Sequence, residues 1–322
     1  MNAVPYAEFE LTAAQSRTLA ENLSYVNASP TQDFESFRMQ VAEIMTRAAP
    51  ADLTRLLCTV RSRSAHMPAV LLKNGPLPHV LPPTPSADAS ATPYNLPSTA
   101  FLVGCGLALG RIYGFANERG GALIHDIVPV FDKVRSRSSS GSRITLDLHS
   151  EVAFHHNRPD FVVLSCLRNP PTAVAATLVA DAGSCLDEMA KPDVHQLQRP
   201  VFEFQVPHSF AAGTPLAARM LPIAVRRTYG WDVRINCNPD HTSTADGAAA
   251  EAMARLAAKL RAASRRIVLS PGQVLILDNK RSVHGREAYD TDYRGADRWL
   301  QRIYVGASAG HENPDQPPAS PR

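Results

Sequence analysis

The chain has 322 residues, 44% of them hydrophobic and 20% charged, with a formal net charge of +3. That length can bury a large core, and so small a charge gives bulk electrostatics no pull toward nucleic acid. No apolar run approaches the ~20 residues a membrane helix needs, and the start MNAVPYAEFELTAAQ lacks the basic head and apolar centre of a secretory signal.

Residues 1 to 65 read as helical. TAAQSRTLAENLSYV and DFESFRMQVAEIMTRAA carry apolar residues at three- and four-residue intervals, with Thr12 and Ser36 as candidate N-caps. Residues 74 to 98, rich in Pro, Ser and Ala, read as a loop. STAFLVGCGLALGRIYGF is apolar throughout; it fits a packed helix, but its periodicity does not decide. From about residue 122 the texture changes. ALIHDIVPVF, ITLDLHSEVAF, DFVVLSCL, AATLVAD, VFEFQV and PIAVRRTYG are short β-prone runs separated by Pro, Gly, Asn and Asp. One alanine-rich helix, residues 247 to 264, interrupts them. RIVLSPGQVLILDN then gives two strands around a Pro-Gly turn, and RWLQRIYVGAS a last one. The tail 307–322 reads as disordered. These elements predict a mainly β sandwich or jelly roll of about eight strands with helices packed outside it. The N-terminal helices would cover one sheet, and the 247–264 helix would be an insertion. The five cysteines, at 58, 105, 166, 185 and 237, form no C-x-x-C pair, which argues against a disulfide framework or zinc ribbon and for a reducing, cytoplasmic setting. Cys166, inside FVVLSCL, reads as a small buried hydrophobe.

The chemistry concentrates in LDLHSEVAFHH, residues 146 to 156. In a strand, residues i and i+2 share a face, so His149 and Glu151 would project side by side. An imidazole and a carboxylate make two ligands for a borderline metal. His284, in ILDNKRSVHGRE just after an apolar run, offers a third, because strands distant in sequence become neighbours in a sandwich. Two histidines and one carboxylate on one face leave three positions open, as in mononuclear non-haem iron(II) oxygenases. DRWLQRIYV follows. On a strand Arg298 and Arg302 would face the same way as Leu300, and two arginines beside an apolar interior need anions to meet. His155 and His156 read as pocket rim or surface, and His125 receives no role. The polar segment 231 to 247 reads as a lid or a surface excursion.

HSEVAFHHNRPDFVVLSCLRNP and LILDNKRSVHGRE…DRWLQRIYV resemble the clavaminate synthase-like branch of the iron(II)/2-oxoglutarate dioxygenases, and more closely its amino-acid hydroxylases of the asparagine oxygenase and arginine β-hydroxylase type. The likeness spans roughly residues 95 to 306. It implies a double-stranded β-helix core and iron ligands His149, Glu151 and His284, while the N-terminal helices fit the family only loosely; residues 1 to 306 read as one domain. It implies that Arg298 holds the distal carboxylate of 2-oxoglutarate, with Thr177 beside the co-substrate. It implies that Arg302 steadies a substrate or co-substrate carboxylate and that Glu118 meets the substrate ammonium. Iron(II), 2-oxoglutarate and dioxygen would hydroxylate the β or γ carbon of a free amino acid, as in specialised-metabolite biosynthesis. Desaturation, epoxidation or cyclisation would share the first steps. A radical halogenase lacks the carboxylate ligand that Glu151 supplies, and a non-catalytic jelly-roll module leaves the motifs unexplained. No nucleic-acid or membrane partner is implied, and the oligomeric state is open. In the arginine hydroxylases the lid carries acids; here it reads RINCNPD, with Asn236, Asn238 and Asp240. Two amides predict a neutral polar side chain, an amide or ureido group, ahead of a cationic one.

Overall fold

The computed structural model describes residues 6–86, 95–170, 174–207, 210 and 220–306. Helices α1 (Ala13–Leu23), α2 (Phe34–Ala48), α3 (Ala51–Ser62) and α4 (Pro97–Leu109) form an outer layer. Thr12 caps α1 in a reciprocal box with Gln15. Ser36 is not the cap of α2. The Asp33 carboxylate takes that position and accepts from the Ser36 N–H at 3.1 Å. Helix α4 shows why its periodicity was mute: it is buried on nearly all sides, between α1–α3 and a sheet. A Cβ on Gly104 would sit 2.6 Å from Met45 Cγ, so a side chain there would push the helices apart.

The large sheet has the order β1 (Ala7–Glu10), β2 (Ala69–Lys73), β14 (Val274–Asp278), β6 (Phe161–Arg168), β16 (Trp299–Gly306), β3 (Arg111–Tyr113), with β4 (Ile124–Ile127) also on β16. The facing sheet has the order β13 (Arg265–Ile267), β7 (Thr177–Asp181), β15 (Ser282–Arg286), β5 (Leu146–His149). The fold is a double-stranded β-helix with flanking helices. The residues Val274 to Leu277 alternate, Val274 and Ile276 packing under the helices while Leu275 and Leu277 pack between the sheets. Each such side chain gains about 1.5–3 kcal/mol on leaving water, so both faces of the large sheet are pinned. The turn at Pro271–Gly272 carries the chain from β13 in one sheet to β14 in the other. Gly272 has φ 82°, and a Cβ there would lie 2.9 Å from the Gly75 carbonyl oxygen.

A third apolar cluster covers the outer face of the smaller sheet. It joins Leu148, Ala180 and Val283 to α5 (Ala182–Asp187), α6 (Lys191–Leu197) and α7 (Gly247–Ala263). Two ribbons complete the chain: β8 (Phe202–Phe204) with β9 (Met220–Leu221) and β12 (Thr242–Ser243), and β10 (Ala224–Arg227) with β11 (Gly230–Val233). The description therefore holds twice the expected number of strands, because many are two to four residues long. Helices α5 and α6 and strand β1 were not anticipated: each is too short to show a period. The predicted disordered tail lies outside the described residues. Among those residues no helix is long and apolar enough to cross a membrane. All five cysteines are free, four of them buried, including Cys166.

Candidate active site

Strand β5 ends at His149, which stands directly opposite His284 of β15. Their rings lie 4.5 Å apart. Glu151 is not on the strand. The chain leaves β5 at Ser150 and turns, and Val152 adopts φ 52°, a conformation that costs a β-branched residue on the order of 1–3 kcal/mol. The face-sharing expected of the H-x-E pair is thus made by a turn. Asn279 holds that turn. Its Oδ1 accepts from the Glu151 N–H at 2.7 Å, and its Nδ2 donates to the carbonyl oxygens of Glu151 at 3.1 Å and Pro159 at 2.8 Å.

Glu151 Oε2 lies 3.9 Å from His149 Nε2 and 3.2 Å from His284 Nε2. All three donors fall within 4.8 Å of one another, the one such metal-ready cluster among the described residues. His149 Nδ1–H donates to the Asp147 carbonyl oxygen at 2.8 Å, which leaves Nε2 free as the ligand atom. Burial, then the neighbouring His284, pulls the His149 pKa down to about 4, so the imidazole stays neutral as a ligand must. The donor set and its orientation fit iron(II).

The other oxygen of Glu151 is gripped from behind. Oε1 accepts from Arg302 Nη1 at 2.9 Å and from the Tyr304 hydroxyl at 2.9 Å. Arg302 Nη2 also donates to Glu118 Oε1 at 2.8 Å and to His125 Nδ1 at 2.9 Å. His125 Nε2–H in turn donates to the Ala122 carbonyl oxygen at 2.9 Å. Burial, then the arginine, keeps His125 well below the usual histidine range, so it accepts from the guanidinium instead of repelling it. Burial raises the Glu151 pKa, but Arg302 and the two histidines outweigh it and hold the carboxylate far below its ordinary range. Burial raises Glu118 against the pull of Arg302. Two buried carboxylates and one guanidinium thus compensate one another where each alone would be costly.

This network lines one end of a cavity of about 210 Å³. Leu300 and Arg302 face it by the alternation of β16, Arg298 just before the strand faces it as well, and Thr177 and Asn236 reach it too. Asn238 does not. It is buried, with Oδ1 accepting from the Asp240 N–H at 3.1 Å, so it shapes the loop. Asp240 also lies off the cavity wall, its side chain 78% exposed. His156 is exposed, but His155 is neither rim nor surface: it is buried edge-on against Phe115. His125, given no role from sequence, belongs to the arginine network. Asn279 and Tyr304 were also missed, as were Arg137, Gln205 and His241 in the cavity wall. Asn279 had a signal, an amide directly after the apolar run that leads to His284. Tyr304 had one too, standing two residues after Arg302 on β16, whereas Arg137, Gln205 and His241 lie on loops whose approach to the cavity no local pattern announces.

The family model for taurine catabolism dioxygenase TauD, TfdA family, matches residues 98–304. The chain belongs to the TauD/TfdA family. This dioxygenase is 33% identical to the L-asparagine oxygenase of Streptomyces coelicolor over 94% of its own chain and 91% of that protein. It is 32% identical to the L-ornithine/L-arginine 3-hydroxylase of Catenulispora acidiphila, over 73% and 76% of the two chains. It superposes with a TM-score of 0.85 and 31% identity on asparagine oxygenase in complex with Fe(II), 2S,3S-3-hydroxyasparagine and succinate, covering 93% of each chain. The dioxygenase uses iron(II), 2-oxoglutarate and dioxygen, and the His149–Glu151–His284 cluster fits that requirement.

Proposed function

We propose that the enzyme hydroxylates an unactivated C–H, at the β or γ carbon, of a free L-amino acid or close derivative. His149, Glu151 and His284 would hold the iron, and Arg298 the distal carboxylate of 2-oxoglutarate, with Thr177 beside it. Arg298 is buried, its Nε has no hydrogen-bond partner among the described residues, and its guanidinium stands 5.8 Å from the Tyr289 ring. Its planar fork suits a carboxylate arriving in the cavity.

The observation that carries the amino-acid reading is the pairing of Glu118 with Arg302 beside the metal cluster. Glu118 Oε2 is buried and unpartnered among the described residues, an acceptor for an ammonium. Arg302 supplies the cation for an α-carboxylate. When both arrive, the arginine–glutamate pair opens into a ring of alternating charges and no ion is left uncompensated. The named relatives act on asparagine and on ornithine or arginine, which supports the same class here. Bound iron with 2-oxoglutarate and dioxygen supplies an oxidant able to take hydrogen from an unactivated carbon, with succinate and carbon dioxide released. The chain's own residues position the carbon, exclude water and keep His149 neutral and Glu151 ionised. We read residues 1–306 as one domain, since α1–α4 share a core with the large sheet, and a reducing cytoplasm as its setting, supported by five free cysteines.

The test is a mass-spectrometric screen of the twenty amino acids with iron(II), ascorbate and 2-oxoglutarate. One of them should gain one oxygen in step with succinate. Succinate with no oxygenated product, or no succinate at all, would overturn the reading.

A further inference from the structure

The amino-acid reading leaves the far end of the substrate open, and the outer wall of the cavity speaks to it. Among the described residues the acids that line the cavity are Glu118 and Glu151. Glu151 is held by Arg302 and assigned to the metal, and the open oxygen of Glu118 is assigned to the substrate ammonium, so neither is left for a cationic side chain. The stretch 208–219, HSFAAGTPLAAR, adjoins the lining residue Pro207 and contributes no acid in its sequence.

Four arginines reach the wall: Arg137, Arg286, Arg298 and Arg302. Arg302 is engaged as described, and Arg298 is assigned to the co-substrate. Arg286 is turned into backbone, donating to the carbonyl oxygens of Ser142 and Ile144 at 3.0 Å each. Arg137 remains. Its side chain is half exposed, and its ionic partner among the described residues is Asp240 at 3.9 Å, which stands 78% in solvent. Water screens such a pair, so it holds Arg137 loosely.

The loop that presents Arg137 is nonetheless built. Ser140 and Ser142 are buried. The Ser140 carbonyl accepts from Val130 N–H at 3.0 Å, and the Ser142 N–H donates to the Val134 carbonyl at 3.2 Å. From Lys133 to Arg143 the chain reads KVRSRSSSGSR, four basic residues and no acid. The same wall offers hydrogen-bonding groups that carry no carboxylate: Ser138, Ser139, Gln205, Asn236 and His241.

We infer that the substrate is an acidic amino acid whose side-chain carboxylate is received by Arg137, the specificity-determining residue of this pocket. This rests on the amino-acid reading above and replaces the expectation of a neutral side chain, while keeping its exclusion of a cationic one. A cationic end would face Arg137 with no carboxylate to offset it. An amide would leave the guanidinium unmatched. A carboxylate takes the planar fork from the screened Asp240 contact and gains hydroxyl donors beside it.

The experiment compares aspartate, glutamate, asparagine, glutamine, citrulline, ornithine, lysine and arginine by kcat/KM for the oxygenated product, in wild type, Arg137→Gln and Arg137→Lys. Aspartate or glutamate should exceed its own amide at least tenfold. Arg137→Gln should collapse that acid-to-amide ratio by tenfold or more, mainly through KM, and Arg137→Lys should restore part of it. Melting temperatures should agree among the three proteins. Turnover led by an amide or a cationic amino acid overturns the acidic assignment while leaving the amino-acid reading intact. An Arg137→Gln enzyme with an unchanged ratio overturns the role of Arg137. Turnover of none of the eight overturns the acidic assignment, and the amino-acid reading falls with it only if the screen of all twenty also yields no oxygenated product.

Discussion

The two ends of the cavity are built on opposite terms. At the inner end each charge of the Glu118–Arg302–Glu151 chain meets an opposite charge at hydrogen-bond distance, on strands or on turns clamped to them. At the outer end Arg137 and Asp240 stand half or mostly in water, 3.9 Å apart, on loops. The inner end needs its geometry before any substrate arrives, because a misplaced ligand or donor there would cost the reaction directly. The outer end can change its residues without disturbing that geometry.

The contrast can be broken at its strongest point first. His149→Ala or His284→Ala should abolish turnover and remove most bound iron, measured as metal content after anaerobic reconstitution and desalting. A variant with wild-type iron and activity would move the ligand set elsewhere. Arg298→Ala comes next. Losing a charge-assisted fork to a buried carboxylate costs about 2–4 kcal/mol, roughly 30- to 1,000-fold in the half-saturating 2-oxoglutarate concentration. Arg298→Lys should recover only part, and an unchanged half-saturation in Arg298→Ala would shift the role to Arg302.

Asn279 tests whether the clamp on the turn matters to the metal. Asn279→Ala leaves the buried Glu151 N–H without its acceptor, at a cost of about 1–3 kcal/mol. Asn279→Asp keeps an acceptor and loses the two donations. Both should weaken iron(II) affinity in a direct titration, Ala more than Asp. Equal loss of melting temperature with no change in affinity would reduce Asn279 to a structural role. At the outer end, Asp240→Asn should leave iron affinity and 2-oxoglutarate half-saturation within about twofold, as a screened surface charge should. A large change in either would show that the two ends are coupled.

The smallest effect is one of pH. Lys280 is buried, with Nζ donating to the Arg158 carbonyl at 3.1 Å, and burial pulls its pKa down to about 7. The unfolded chain holds that proton up to the ordinary lysine value, so between the two pKa values it binds more protons than the folded chain. Stability should therefore rise as pH climbs from 7 toward 8.5, and the rise should flatten in Lys280→Met. Above about 9 the buried cysteines, whose thiols burial pushes up, pull the other way. Equal slopes in wild type and variant would exclude Lys280 as the source.

The legible parts of the sequence were those where residue type and spacing carry the physics. The clustering of His149, Glu151 and His284 was legible because few residue types ligate a metal, and the inward-facing Arg298 and Arg302 because a guanidinium on an apolar strand demands an anion. The turn at Glu151 was not legible: i and i+2 share a face in a strand, and only the Asn279 clamp and the positive φ of Val152 reveal a different solution. The reading of the lid failed at Asn238 and Asp240 for a related reason. One residue of register decides which side chain faces the cavity, and no regular strand sets that register between Ile235 and His241. Arg137 lies in a serine-rich stretch that reads as solvent loop until Ser140 and Ser142 are seen buried.

His149 and His284 face each other across adjacent strands, yet they lie far apart along the chain. During synthesis the first histidine and Glu151 emerge well before their partner. Until β15 is made and zipped onto β5, the growing polypeptide offers only two of the three donors, too few to retain iron(II) firmly. With those three as the proposed iron ligands, loading would wait until β15 is paired with β5, when the cavity walls flank the site. A truncated or stalled chain would carry little iron, and so would present little of a metal that turns oxygen into damage when nothing confines it.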